Sequence, residues 1–249
     1  MNRRNVKTTE EGLGVEQDYK QAISWYQKAA EQGVAEAQVI LGFMYFNGQG
    51  VAKDYKKAAY WYEKAAEQGL PEAQYNFGVM CYKGQGVAQD HKQSVFWHQK
   101  AAAQGVAAAQ YSLGLMYDEG HGVAQDYKQA AYWYEKAAER GVAKAQFHLG
   151  VMYDEGRGIA QENKQAAYWY EKAAEQGVAE AQYNLGVRYV QGLGVAQDYV
   201  EAHKWFNLAG ANGFANAIKP RDVVERQMSR EQIAEAQRRA SEWLKVHGK

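Results

Sequence analysis

The side chains that could do chemistry are few and scattered along the chain. A single cysteine, Cys81, has no partner for a disulfide within the chain. The densest reactive group is acidic, because two copies of Tyr-Asp-Glu-Gly place Asp118, Glu119, Asp154 and Glu155 at matching positions. Carboxylates arranged in this way could attract a basic partner. The histidines are His91, His98, His121, His148, His203 and His247.

The patterns typical of catalytic and metal sites are missing. The sequence has no Gly-x-Ser-x-Gly, no Ser-x-x-Lys and no phosphate-binding loop. Its Gly-x-Gly copies end a helix instead of following a strand, so they do not predict a dinucleotide site. His121 and His148 lie near the acidic pairs, but no spacing matches a zinc or calcium loop. We therefore expect no enzyme activity, no cofactor and no metal.

Composition narrows the class of partner and the compartment. Lys plus Arg and Asp plus Glu number 29 each, so no net charge favours nucleic acid. Apolar runs fall far short of the roughly 18 residues of a membrane span. The start "MNRRNVKTTEEGLG" is basic but lacks the apolar stretch of a signal peptide. As given, the sequence indicates a cytoplasmic protein; a missing signal peptide would indicate a periplasmic or secreted one.

The tryptophans reveal an internal repeat. Six of the seven follow one another at a constant step of 36 residues, and the Gly-x-Gly pairs keep the same step. The six are Trp25, Trp61, Trp97, Trp133, Trp169 and Trp205. A fixed period of this length indicates a solenoid, and we expect each of these tryptophans to pack between adjacent helices.

Each period contains two helical segments. Residues 54–69, "DYKKAAYWYEKAAEQG", predict an amphipathic helix with Asp54 at the N-cap and Gly69 just beyond the last turn. Residues 71–86, "PEAQYNFGVMCYKGQG", predict a second helix in which Gly78 permits close approach of its partner. Neither helix can bury its apolar face alone, so neighbouring repeats must stack.

These residues resemble a known family. The pattern A-x-A-Q-x-x-L-G-x-x-Y-x-x-G-x-G-V, followed by D-Y-x-x-A-x-x-W-Y-x-K-A-A-x-x-G, is similar to the Sel-1-like repeat of the tetratricopeptide-like superfamily. The resemblance implies an all-α, right-handed α-solenoid of 36-residue helix-turn-helix repeats. It also implies a bacterial-type adaptor that binds proteins without catalysis.

The repeat pattern divides the chain into three parts. Residues 1–11 do not fit it, and we expect them to be disordered or to form an improvised cap. Residues 12–217 form the array, a half repeat followed by five helix pairs, and residues 218–249 are expected to form C-terminal capping helices. The half repeat leaves Trp25 and Tyr26 with less cover than their equivalents. Self-association through this N-terminal half repeat is therefore a second expectation.

Comparison of the five first helices within the chain separates scaffold from variable surface. One glutamine never changes, and we interpret it as a buried hydrogen-bonding residue. Cys81 stands where the other first helices have tyrosine, which indicates a small core residue. The repeated glutamines are Gln38, Gln74, Gln110, Gln146 and Gln182.

Two apolar rows vary along the first helices. The first row contains Val39, Tyr75, Tyr111, Phe147 and Tyr183, and the second contains Phe43, Val79, Leu115, Val151 and Val187. In tetratricopeptide-like arrays the first helices line the concave side, so the resemblance places both rows along a groove. They could pack against the next repeat, or they could form an apolar floor for an extended peptide.

Three residues beyond the second row lies a more polar position. It holds Phe46, Tyr82, Asp118, Asp154 and Val190, and Glu119 and Glu155 follow the two aspartates. The acidic pairs could be a solvated surface or a rim that prefers a partner with cationic groups.

The sequence predicts a non-catalytic scaffold that binds a protein or an extended peptide on its concave face. One alternative is a periplasmic binder of glycans or peptidoglycan fragments, with sugars stacked on the aromatic row. A second is a β-lactam-interacting enzyme, since cysteine-rich members of the family are linked to β-lactam binding. Cys81 is the only cysteine, whereas those members carry cysteine pairs in each repeat.

Overall fold

The computed structural model describes residues 8–9, 12–13 and 19–247. Within them are thirteen α-helices, one short 3-10 turn and two strands of two residues, β1 (Thr8–Thr9) and β2 (Gly12–Leu13), which pair antiparallel. The helices are α1 (Tyr19–Glu31), α2 (Ala35–Asn47), α3 (Tyr55–Glu67), α4 (Pro71–Lys83), α5 (His91–Ala103), α6 (Ala107–Glu119), α7 (Tyr127–Glu139), α8 (Ala143–Glu155), α9 (Asn163–Glu175), α10 (Ala179–Gln191), α11 (Tyr199–Ala211), α12 (Ile218–Glu225) and α13 (Arg230–His247).

The chain forms two compact units that meet between Gln104 and Gly105. In the first unit α2 pairs with α3 and α4 with α5, while α1 packs on α2 and α3 on α4. In the second unit the pairs are α6 with α7, α8 with α9 and α10 with α11, and contacts of α7 with α8 and of α9 with α10 join them. The predicted all-α solenoid of 36-residue helix pairs is confirmed.

The ends of the helices follow from local chemistry. The Asp54 carboxylate accepts a hydrogen bond from the backbone N–H of Lys57 at 3.0 Å, which satisfies one donor left open by the first turn of α3. The glycine that follows each of α2, α4, α6, α8 and α10 is in the left-handed conformation, as Gly84 is with φ of 66°. Among α3, α5, α7, α9 and α11, only α9 lacks the side-chain capping bond, because Glu162 makes none.

In each helix pair, one glycine of the first helix contacts an aromatic ring of the second helix. A Cβ atom on Gly114 would lie 2.4 Å from Cδ1 of Tyr134, a ring that is fully buried. The same contact recurs in every pair. The contacts are Gly42 with Tyr62, Gly78 with His98, Gly114 with Tyr134, Gly150 with Tyr170 and Gly186 with Phe206.

The tryptophans are less uniformly packed than their spacing predicts. Trp97 and Trp205 are buried, with 7% and 4% of their surface exposed. Trp61, Trp133 and Trp169 are only half-buried. The tryptophans therefore differ in burial, although Trp61 and Trp169 pack against core clusters of the neighbouring helices. The residue after each tryptophan takes the glycine contact in all five helix pairs, so that contact does not by itself determine how deeply the tryptophan is buried.

The N-terminal half repeat exposes its tryptophan. Trp25 is 66% exposed, and Tyr26 is half-buried where the equivalent Tyr62 is buried. Apart from Thr8–Thr9, residues 1–11 lie outside the described residues, so their expected role as a cap stays a prediction. Self-association through this half repeat stays a prediction as well.

The repeated glutamines and Cys81 confirm their predicted roles. Gln74 is buried, its Nε2 donates to the Ala66 carbonyl at 3.2 Å, and its Oε1 accepts from Gln104 at 2.8 Å. Cys81 is fully buried and contacts Oε1 of Gln93 at 3.2 Å. Burial raises the pKa of the Cys81 thiol to about 12, so it is an unreactive core residue.

The last helix packs on the end of the array. Ser229 and Gln232 form the capping box that their spacing predicts, with bonds of 2.8 Å and 3.2 Å at the start of α13. Arg239 of α13 donates to Glu201 of α11 at 2.6 Å. Trp243 packs beside the core formed by α9, α10 and α11.

Replacing Gly114 by alanine tests the glycine contact. The added methyl group would overlap the Tyr134 ring, and forcing extra volume into such a packed interface costs about 1 to 3 kcal/mol. Gly210→Ala in α11 is the matched control, because its Cβ would meet nothing closer than 4.0 Å. Urea unfolding followed by circular dichroism should show Gly114→Ala destabilised and Gly210→Ala unchanged or slightly stabilised by helix propensity. Equal effects would contradict the contact.

One repeat uses histidine in the glycine contact. His98 is buried against Gly78, with Nδ1 2.8 Å from the Ser94 carbonyl oxygen. Ser94 in turn donates its hydroxyl to the Gly78 carbonyl at 2.8 Å. The other second helices have tyrosine or phenylalanine at the position of His98 and alanine at the position of Ser94. Burial lowers the pKa of His98 below its ordinary value of 6.5.

This histidine should make stability pH-dependent. Because its folded pKa lies below the unfolded value, the unfolded state binds the proton more readily, and stability falls as pH drops below about 6.5. The double variant His98→Tyr/Ser94→Ala restores the residues of the other pairs. We expect the loss of Tm between about pH 7.5 and about pH 5.5 to be smaller in this variant than in the unmodified chain. An identical loss would show that His98 is not the responsible group.

Candidate functional site

The predicted inner residues of the first unit mostly contact their own core. Val39 and Phe46 pack against it, whereas Phe43 is 49% exposed. The Tyr75 ring meets His98 edge-on with centroids 5.6 Å apart, and the Tyr82 ring stacks on His91 at 4.7 Å. Val79 is half-buried.

In the second unit two predicted residues share a groove of about 570 Å³. Tyr111 and Phe147 belong to the first apolar row, and the groove adds side chains from the next helix pairs. Its lining is Tyr111, Lys144, Phe147, His148, Gln176, Gly177, Val178, Ala179, Glu180, Asn212, Gly213 and Phe214. It follows the start of α8 and α10 and the turns after α9 and α11. We call it the α8–α10 groove.

The other predicted residues of this unit lie elsewhere. Leu115 and Val151 are half-buried and pack against core clusters. Tyr183 packs beside another cluster, with its ring 5.1 Å from Phe214. Val187 contributes to a separate apolar cavity of about 330 Å³ with Val190, Phe206, Val223 and Val224 among its lining. The apolar rows therefore contribute both to packing and to grooves.

His148 and Phe214 were not predicted from the sequence as residues of this groove. Each nevertheless differs from the residues at its position in the other repeats. The residues equivalent to His148 are Ile40, Asn76, Ser112 and Asn184. The residues equivalent to Phe214 are Val34, Leu70, Val106, Val142 and Val178. Only the structure shows that two such departures, 66 residues apart in the numbering, face one groove.

The floor of the groove is uncharged near neutral pH. The Tyr111 hydroxyl lies 3.5 Å from Nε2 of His148, and the His148 ring stacks on Tyr134 with centroids 5.0 Å apart. Burial lowers the pKa of His148 and raises the pKa of Tyr111. The groove thus offers aromatic surface with a few hydrogen-bonding atoms, a composition typical of ligand sites.

Two charged side chains border this floor. Lys144 and Glu180 occupy equivalent positions at the starts of α8 and α10, and both are exposed. Neither forms an ion pair with another of the residues that the structure describes. They are therefore accessible to a bound molecule.

The structure gives both aspartates of the acidic pairs partners within the chain. One of the two interpretations of these pairs places Asp118 and Asp154 opposite a cationic partner, and it stays a prediction. The Asp118 side chain is 12% exposed, accepts from the Tyr134 hydroxyl at 3.2 Å and lies 3.8 Å from Nη1 of Arg157. Asp154 accepts from the Tyr170 hydroxyl at 3.2 Å and forms an ion pair with Arg188.

The two exposed acids have internal partners too. Glu119 lies 3.0 Å from Nδ1 of His121, and Glu155 lies 3.4 Å from Nε of Arg157. These are solvent-exposed contacts that contribute little to stability. Each of the four carboxylates thus has a partner within the chain, which sequence spacing alone did not reveal.

Arg188 is a buried charge, with 3% of its side chain exposed. It stands where the other first helices have methionine, and its Nη1 donates to Oδ1 of Asn163 at 2.8 Å. Asn163 in turn replaces the tyrosine or histidine that starts every other second helix. The smaller Asn163 thus supplies a hydrogen-bond acceptor for the guanidinium group.

Removing the charge of Asp154 tests this half-buried pair. Asp154→Asn leaves the buried Arg188 with neutral partners, and because Asp154 is 38% exposed we expect a cost of about 1.5 to 3 kcal/mol, that of a hydrogen bond to a charged group. Glu155→Gln, the neighbouring change at an exposed ion pair, should cost less than about 1 kcal/mol. Chemical unfolding of both variants gives the comparison. Similar stability of the two would mean that Arg188 does not depend on Asp154.

Exposed aromatic rings also occur on second helices within each unit. Four rings are 47% to 51% exposed, and each meets the edge of the tryptophan that follows it. For Phe96, Tyr132 and Tyr168 a lysine ammonium group lies 4.7 to 5.8 Å from the ring centroid. The four rings are Tyr60, Phe96, Tyr132 and Tyr168.

Two further kinds of site are absent from the described residues. No cluster of three or more His, Cys, Asp or Glu side chains is arranged to hold a metal ion in this part of the chain. No helix there combines the length and apolar character needed to cross a membrane.

The tandem helix pairs, with their glycine contacts and buried glutamines, define a helical-repeat protein. The family model described as "Sel1 repeat" matches six consecutive segments, at residues 9–34, 35–70, 71–106, 107–142, 143–178 and 179–214. The chain belongs to the Sel1 repeat family. No curated protein sequence matches it significantly.

Solved structures agree with this assignment. The chain is similar to c5321, a protective antigen of uropathogenic Escherichia coli strains displaying an SLR fold, at 39% identity and a TM-score of 0.83. The match covers 92% of this chain and 49% of c5321, so the chain spans about half the length of that relative. It is also similar to a Sel1 repeat protein from Oxalobacter formigenes, at 32% identity and a TM-score of 0.74, with 93% and 92% of the two chains covered.

Family membership defines the general class of function. Sel1 repeat proteins are generally scaffolds for protein interaction, and the fold is typically non-catalytic.

Proposed function

We propose that this chain is a non-catalytic scaffold that binds an extended peptide segment of a partner protein in the α8–α10 groove. The observation that carries the proposal is the convergence of Tyr111, Phe147, His148 and Phe214 on one groove of about 570 Å³. Its volume lies within the usual range of about 300 to 1,000 Å³ for ligand sites. Aromatic anchors in such a cleft are typical of binding hot spots.

The apolar floor supplies most of the affinity in this proposal. Burying one apolar side chain of the peptide contributes about 1.5 to 3 kcal/mol, more than an exposed ion pair provides. The floor extends across α6, α8 and the turn after α11, so it suits an elongated segment.

The cationic partner group expected beside the acidic pairs has a smaller role. Such a group would compete with Arg157 for Asp118 and with Arg188 for Asp154. Glu119 and Glu155 stay exposed and can attract a basic partner at longer range. We therefore place the principal contacts in the groove and not on the acidic pairs.

The other repeats provide conservative variants for a test. A random peptide library displayed on phage is selected on the unmodified chain, and the enriched peptides are titrated against Phe214→Val and His148→Asn. Both substitutions install residues that stand at these positions elsewhere in the chain, so the fold should tolerate them. We expect each to weaken binding about tenfold or more, because it removes about 1 to 2 kcal/mol of aromatic contact.

Tyr132→Ala is the matched control, since it removes an exposed ring of α7 that does not line the groove. Its affinity for the enriched peptides should equal that of the unmodified chain. Peptides that bind Phe214→Val and His148→Asn as tightly as the unmodified chain, with circular dichroism unchanged, would refute the groove as the binding site.

A further inference from the structure

We infer that the α8–α10 groove selects a bipolar peptide, in which an acidic and a basic residue flank an apolar one. This inference rests on the proposed function and specifies the chemistry of the partner. The acidic residue would contact Lys144 and the basic residue would contact Glu180, while the apolar side chain occupies the floor beside Phe147 and Phe214.

The reversal of charge within one groove is the first observation. Lys144 and Glu180 occupy the same position in consecutive first helices, and both line the groove. The equivalent residues in the earlier repeats are Glu36, Glu72 and Ala108, so Lys144 is the only cation of the row. The two charged side chains that line the groove thus differ in sign.

Both charges are available to a ligand. Lys144 and Glu180 are exposed and form no ion pair with each other or with other described residues. The acidic pairs do not line the groove, and Arg157 lies beside both Asp118 and Glu155. His148 is neutral near pH 7, since burial lowers its pKa. Lys144 and Glu180 are therefore the two charged side chains that line the groove.

The separation of α8 and α10 sets the length of peptide that can reach both charges. Each of these helices packs on α9 and not directly on the other, so they lie farther apart than the about 8 to 10 Å of helices in direct contact. An extended peptide advances about 3.3 Å per residue, so its two charges should be at least about three residues apart, with the apolar residue between them. Long, flexible lysine and glutamate side chains tolerate some variation in this spacing.

Exposed ion pairs determine orientation more than affinity. Each is expected to change affinity by no more than about fivefold, so the two together should distinguish a peptide from its charge-reversed form by up to about 25-fold. Added salt should reduce this discrimination, because screening weakens exposed pairs.

The test uses the same phage-displayed random peptide library on two chains, the unmodified protein and the double variant Lys144→Glu/Glu180→Lys. Peptides enriched on the unmodified chain should carry acidic, apolar and basic residues in one direction. Peptides enriched on the double variant should carry them in the opposite direction. Swapping the exposed ion pair of α7, Lys136→Glu with Glu139→Lys, is the matched control and should leave the pattern unchanged.

The outcomes separate the inference from the proposed function. If both chains enrich the same charge pattern or none, and Phe214→Val still weakens binding about tenfold or more, the bipolar preference is refuted while the groove remains the binding site. If the enriched peptides bind Phe214→Val and the unmodified chain equally, the groove and the bipolar preference both fail.

Discussion

The contact between a glycine of each first helix and an aromatic ring of its partner is the constraint on which the array depends. Helices of 13 residues are marginal by themselves, so each must gain its stability from packing. The missing side chain at Gly114 or Gly150 lets the ring of Tyr134 or Tyr170 lie against the backbone. That contact determines which face of the first helix packs on its partner. The opposite face makes no such contact, so its residues can vary between repeats.

The helices could be predicted from sequence because their causes are local and recur. Asp54 caps a helix through a neighbour three residues away, and Gly84 ends one through its own backbone freedom. The buried glutamines could be predicted because every repeat places them alike. The degree of tryptophan burial could not, since Trp97 and Trp205 are buried while Trp133 is half-buried at the same repeat position.

The candidate site was predictable only in part, because its contacts join residues that are far apart in sequence. Tyr111 and Phe147 emerged from the apolar row, but the proximity of Tyr111 to His148 spans 37 residues. The ion pair of Asp154 with Arg188 likewise crosses from one first helix to the next. The sequence of one helix therefore does not show that a cation on the next first helix pairs with its acidic residue.

Some residues that differ from the repeat consensus have a matching partner within the chain, and others have none among the described residues. His98 is matched by Ser94, and Arg188 is matched by Asn163 and Asp154, so these changes satisfy one another inside the protein. Lys144 is a departure of another kind, because it changes the sign of its row and has no compensating ion pair among the described residues. A buried substitution must be satisfied internally to avoid a large desolvation penalty. An exposed one carries no such requirement, and its charge remains available to a molecule that enters the groove.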